Sequence, residues 1–197
     1  MVIEHIEKLF NIPAQKIQFE GEILASLKLG HSRGQLLTTT SLNNHTMPTP
    51  SKFNDQANIE LYFLLPEYWN FDEKDPLFHW AIATLVQIKK YLEKGHWAIS
   101  GHTFALKNLP NGKFKDAGFD ALMLIDPIAL KELQKPIESL EHPVHFKALC
   151  PIFKKEKDIK ESKGLDKFLI RMRDKGMNEK IDEFRISLIK SSILFWK

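Results

Sequence analysis

The chain has 197 residues, 43% of them hydrophobic, with 28 Lys and Arg against 25 Asp and Glu. That length suits one domain, 1–197, built on one core, and is short for two. A net charge of +3 supplies no broad field for nucleic acid or an anionic membrane, so neither is expected as a partner, and the single cysteine, Cys150, cannot form an internal disulfide.

Val2 to Phe10 sets Ile3, Ile6 and Phe10 on one helical stripe, closed by Asn11 and Pro13. Glu4 and Glu7 stand where a signal peptide needs an unbroken apolar run, and no later run approaches the roughly 18 apolar residues of a membrane span. A cytoplasmic location is the expectation. From Lys16 to Thr40 the apolar text is broken by Gly21, Gly30 and Gly34, which predicts two or three strands. Ser41 to Asp55 is rich in Asn, Thr, Ser and Pro and reads as an exposed loop anchored by Met47 and Phe53. Ala57 to Leu65 is nearly continuous apolar text around Glu60, a central strand ended by Pro66.

Asp75 and Pro76 open a helix with Ala81, Leu85, Ile88 and Leu92 on one face, and Gly95 stops it. Phe119 to Ile125 and Val144 to Leu149 are further strands. Residues 154 to 163 read as a solvated helical face. Leu165, Phe168, Leu169 and Met172 make an amphipathic stripe, and Ile181, Phe184, Leu188 and Ile189 make a last helical stripe before the apolar tail Ile193 to Trp196. Strands and helices do not alternate strictly. The predicted class is therefore α+β, a mixed or mainly antiparallel sheet packed with helices.

The densest chemical text follows the Gly95 stop: His96, Trp97, Ser100, Gly101 and His102. An enzyme would place His96, Ser100 and His102 in a cleft, yet the chain has no GxSxG elbow, GxxxxGK[ST] loop or GxGxxG turn. No cofactor is expected. His142 and His145 point to opposite faces if both lie on a strand, and no Asp, Glu or Cys near His96 and His102 completes a ligand set, so no metal site is expected. Cys150, between Leu149 and Pro151, has no charged neighbour to lower its pKa and reads as a small buried hydrophobe.

The order of blocks LLTTTSLNNHTMP (36–48), IELYFLLPEYW (59–69), HWAIATLVQIKKYLEKGHWAISGHTF (79–104), FDALMLIDP (119–127) and FKALCPIFKKEKDIKESKGLDKFL (146–169) resembles the Suppressor of fused family. The resemblance is strongest over 22–175. The family's usual Thr-x-Gly-Met-Ser-Asp reads here as Thr39 to Asn44, without the glycine, and the chain resembles a compact bacterial-type member. The resemblance implies a non-enzymatic binding protein with the fold of the family's N-terminal domain. Animal members sequester Gli transcription factors by gripping a peptide that pairs with sheet edges, and bacterial relatives have been proposed as immunity proteins that neutralise toxins of polymorphic toxin systems. Carried over by position, it points to Tyr91, Gly101, His102 and Glu156 as protein-binding residues, with a protein partner such as a toxin. The alternatives are the His96/Ser100/His102 enzyme and a scaffold that self-associates through the tail from Ile193 to Trp196.

Overall fold

A computed structural model describes residues 1–30, 32–71, 76–110, 117–138 and 142–189. Asp75 and the tail from Ile193 to Trp196 lie outside the described residues. The elements in chain order are α1 (Val2–Phe10), β1 (Gln15–Phe19), β2 (Glu22–Lys28), β3 (Gln35–Thr39), β4 (Ile59–Leu65), α2 (Pro76–Glu93), β5 (Thr103–Ala105), β6 (Phe119–Ile125), β7 (His145–Phe153), α3 (Lys154–Lys163) and α4 (Leu165–Asp174). The strands form one seven-stranded sheet in the order β1-β2-β3-β4-β7-β6-β5. All neighbours are antiparallel except β4 and β7, which run parallel with Ile59 opposite His145 and Tyr62 opposite Ala148. The class is α+β with a mixed sheet.

The period-two alternation of strands divides the apolar residues between two cores. On β4, Leu61, Phe63 and Leu65 join one cluster, and Tyr62 and Leu64 join the other. The first core is covered by α2, whose Ala81, Leu85, Ile88 and Leu92 pack with Leu37, Leu122 and Leu149. The second is covered by Val2 and Ile6 of α1 and by Phe168 and Met172 of α4. Every residue of β4 is buried, because the strand has neighbours on both edges and a helix layer on both faces.

Gly34, at φ 92°, ends the β2–β3 turn against β4: a Cβ there would stand 2.2 Å from the Leu65 carbonyl oxygen, so no side chain fits without moving backbone. Pro151 interrupts the donors of β7, but by that point β7 has left β4 and pairs only with β6, so the missing N–H faces no strand. That is why β7 runs on to Phe153, beyond the boundary at Leu149 expected from hydrophobicity.

The expected helix through Ile181 and Ile189 does not form. Gly176, at φ 66°, closes α4, and residues 177–189 run as an irregular strap. Its backbone donors are divided between local turns, such as Arg185 to the Asp182 carbonyl, and tertiary partners: the Ile181 N–H donates to the Leu64 carbonyl at 2.8 Å, and Lys180 bridges Leu64 in parallel. The strap thus fills the place beside the end of β4 that β7 vacates. Ile181 enters the first core, whereas Met177 and Leu188 pack on the second.

Candidate functional site

Helix α2 ends in the turn that carries most of the expected site. Tyr91 is 45% exposed, and its ring lies parallel to the His96 imidazole at 3.9 Å and edge-on to Phe104 at 6.2 Å. It lines a shallow cleft of about 390 Å³ with Glu20, Gln87, Lys90, Lys94 and Pro110. The cleft's cations are partly held, since Lys90 pairs with Glu20 at 2.7 Å.

The next turn is fastened to the sheet. The Gly101 N–H donates to the Leu124 carbonyl at 2.7 Å, and the Leu124 N–H donates to the His102 carbonyl at 2.8 Å. The His102 Nδ1 accepts the Ile99 N–H at 3.1 Å, and the ring meets Trp97 edge-on at 4.7 Å. Gly101 sits at φ 95°, and a Cβ there would lie 3.2 Å from Leu165 Cδ2 and 3.7 Å from Lys160 Cε. The turn therefore abuts the junction of α3 and α4.

Ser100 accepts a hydrogen bond from Lys147, a lysine only 2% exposed. Lys147 Nζ reaches Ser100 Oγ at 3.3 Å, Gln56 Oε1 at 2.7 Å and Asp126 Oδ1 at 2.6 Å, so all its donors are used to tie three loops together. His96, Ser100 and His102 thus stack or hydrogen-bond with three separate sets of neighbours: Tyr91, Lys147, and Ile99 with Trp97. Cys150 is buried, and desolvation pushes its thiol up to about 12, far from a reactive thiolate at neutral pH. Among the described residues, no group of three or more His, Cys, Asp or Glu is placed to hold a metal ion. Among them also, no helix is long and apolar enough to cross a membrane.

Glu156, the fourth expected residue, lies apart from the Tyr91 cleft and is 0% exposed. The Arg185 guanidinium grips its carboxylate with two parallel hydrogen bonds of 2.7 Å. The same carboxylate accepts the Leu188 N–H at 2.8 Å and the Phe153 N–H at 3.0 Å. Arg185 also donates to the Pro151 carbonyl at 2.6 Å and lies over the rings of Phe119 and Phe153 at 4.9 and 4.7 Å. These contacts fasten the strap to β7 and α3.

Residues that composition and spacing did not single out make the second anchor. Glu179, 0% exposed, accepts the Tyr62 hydroxyl at 3.0 Å and the amides of Ile128, Ala129 and Leu130 at 2.8 to 3.2 Å. A third buried carboxylate, Glu60, accepts the Thr39 hydroxyl and the Asn43 N–H, the latter at 3.1 Å. Burial pushes its carboxyl up to about 7, against the hydrogen bonds that favour the charged form. Nothing in the local sequence marks Arg185 or Glu179, because each matters only through a group far away in the chain.

The family model for Suppressor of fused protein (SUFU) matches residues 28–185. A search by sequence among curated proteins finds no match. Among solved structures, a SUFU homolog from Neisseria gonorrhoeae is similar at 13% identity and a TM-score of 0.69, over 97% of this chain and 96% of that one. The Sufu–Fu complex is similar at 11% identity and a TM-score of 0.62, over 95% and 90%. Drosophila Suppressor of Fused is similar at 12% identity and a TM-score of 0.57, over 95% of this chain and 50% of that one. These likenesses concern the fold. With its family model spanning most of the sheet, α2, the Gly101 turn and both anchors of the strap, the chain belongs to the Suppressor of fused family.

Proposed function

We propose that this chain is a non-enzymatic, cytoplasmic protein-binding domain of the immunity type, which neutralises a toxin by covering it. The observation that carries the reading is the ledge at the end of α2, where Tyr91 is 45% exposed and held in one orientation by His96. A pre-oriented amphipathic ring loses little freedom on binding and suits an interface anchor. Membership in a family whose fold occurs in the Sufu–Fu complex supports the same direction. In this reading Tyr91 is the anchor, Gly101 and His102 shape the adjoining rim, and Glu156 acts indirectly by holding the strap.

The test is co-expression with the products of neighbouring genes in a growth-rescue assay. Wild-type chain is expected to rescue growth from one of them, and Tyr91→Ala is expected to weaken binding of the purified pair by about tenfold, the effect of losing one anchor worth roughly 1.4 kcal/mol. Thermal unfolding of the variant should be near that of the wild type. Failure to rescue from any neighbouring product sinks the immunity reading, and a turnover abolished by Ser100→Ala sinks the non-enzymatic one.

A further inference from the structure

The charge of the chain is segregated. Residues 154–175, which span α3, α4 and the Lys175 that caps α4, hold nine Lys and Arg and five Asp and Glu, leaving 19 basic and 20 acidic residues for the rest of the chain. The whole positive excess therefore sits on two helices. One of their five acids, Glu156, is buried and neutralised by Arg185 from outside the segment, and one of the nine bases, Lys157, pairs with Asp120 of β6 at 3.7 Å, so four acids stand beside eight other bases.

The placement follows from how α4 packs. Phe168 and Met172, four residues apart, are its buried side. That turns Lys167 and Arg171, also four apart, to solvent on adjacent turns, and exposed Lys175 follows just beyond the helix, while exposed Lys163 ends α3 across the bend at Gly164. Ile170, 51% exposed, stands beside Lys167 and Arg173 three residues away and beside Asp166 and Asp174 four residues away. At its other margin the surface meets the Gly101 turn, since Lys160 and Leu165 are the groups nearest a Cβ at Gly101.

We propose that the α3–α4 face docks an acidic protein segment that carries an apolar anchor for Ile170. This rests on the protein-binding reading and adds the chemistry of the partner. Charge complementarity supplies the attraction and speeds the encounter. The occupant is protein rather than nucleic acid because Asp158, Glu161, Asp166 and Asp174 interrupt the cations, and they would repel a continuous phosphate backbone while a segment of mixed composition can avoid them. It is not a membrane surface, which needs a broad apolar face where α4 presents one large exposed apolar side chain, Ile170.

The experiment titrates the full chain with a fluorescein-labelled peptide of glutamate runs broken by single leucines, followed by anisotropy and by amide chemical shifts. Binding is expected with shifts concentrated in residues 160–175 and the Gly101 turn. It should weaken by at least about tenfold in Lys167→Glu/Arg171→Glu, two exposed sites whose reversal leaves the core intact. It should also weaken as salt shortens the screening length from about 30 Å to about 8 Å, and Ile170→Ser should weaken binding without changing that salt dependence.

Unchanged binding by the charge-reversed chain, or shifts centred elsewhere, overturns the proposal. So does tighter binding of duplex DNA or phosphatidylserine vesicles at the same ionic strength. In the growth-rescue assay, protection retained by Lys167→Glu/Arg171→Glu but lost by Tyr91→Ala rejects this face and leaves the immunity reading standing. Failure of the wild-type chain to rescue, with peptide binding intact, rejects the immunity reading alone.

Discussion

Helix α2 and the strap 177–189 both close the sheet, but α2 does so with a continuous apolar stripe, Ala81, Leu85, Ile88 and Leu92, while the strap relies on polar anchors, buried Glu179 and half-buried Arg185. A helix satisfies its own backbone and needs only apolar contact to stay in place. An irregular segment brings backbone donors into the interior and must find acceptors for them. Leu64 and Glu156 supply those for Ile181 and Leu188. Coverage by a helix is thus many weak, interchangeable contacts, and coverage by the strap is a few specific ones.

Removing one member of a specific anchor should therefore have the largest effect. Arg185→Ala leaves the Glu156 carboxylate buried without its cation and is expected to cost roughly 3–5 kcal/mol. Urea unfolding measures this, and proteolysis should cut selectively beyond Gly176; a midpoint equal to that of the wild type would show that the strap is not held this way. Leu85→Ala on α2 is expected to cost roughly 2–5 kcal/mol by opening a cavity. The discriminating outcome is that the strap keeps its resistance to proteolysis while global stability falls.

Glu60 sharpens the contrast, because it is a buried carboxylate whose nearest hydrogen-bond donors, Thr39 and Asn43, are neutral. The unfolded chain releases this proton near 4.5, whereas the folded chain holds it to about 7. The contribution of Glu60 to stability is thus complete below 4.5 and declines as pH rises to about 7, by roughly 3 kcal/mol. Stability of the wild type minus that of Glu60→Gln, followed across that window, should fall; a flat difference would mean that burial does not perturb this group. Gly101→Ala is the smallest change, about 1–2 kcal/mol from a Cβ in the left-handed region, with Leu165 giving way by a few tenths of an ångström. A thermal melt reads it.

The Thr-rich block, the Glu-Leu strand and the Pro-to-Glu block that carry the family resemblance prove to contain the polar anchors of the fold: Thr39 meets Glu60, Pro151 offers its carbonyl to Arg185, and Glu156 receives the guanidinium. The Gly101 turn was visible in the sequence because its rings, serine and glycine all fall within residues 96–102. Its direction was not, since that depends on Leu124 and Leu165. The short strand β5 escaped notice because three half-buried residues make no period.

Local patterns encode α1, the face of α2, the boundaries of β6, the burial of β4 and the mixed-charge α3, because each is satisfied within one element. Long-range contacts set the rest: that residues after Gly176 form a strap, that Glu156 is an internal anchor, and that Lys167 and Arg171 of α4 face solvent. Those outcomes depend on pairs such as Tyr62 with Glu179 and Glu156 with Arg185, and partners so far apart in the chain leave no periodic trace in it.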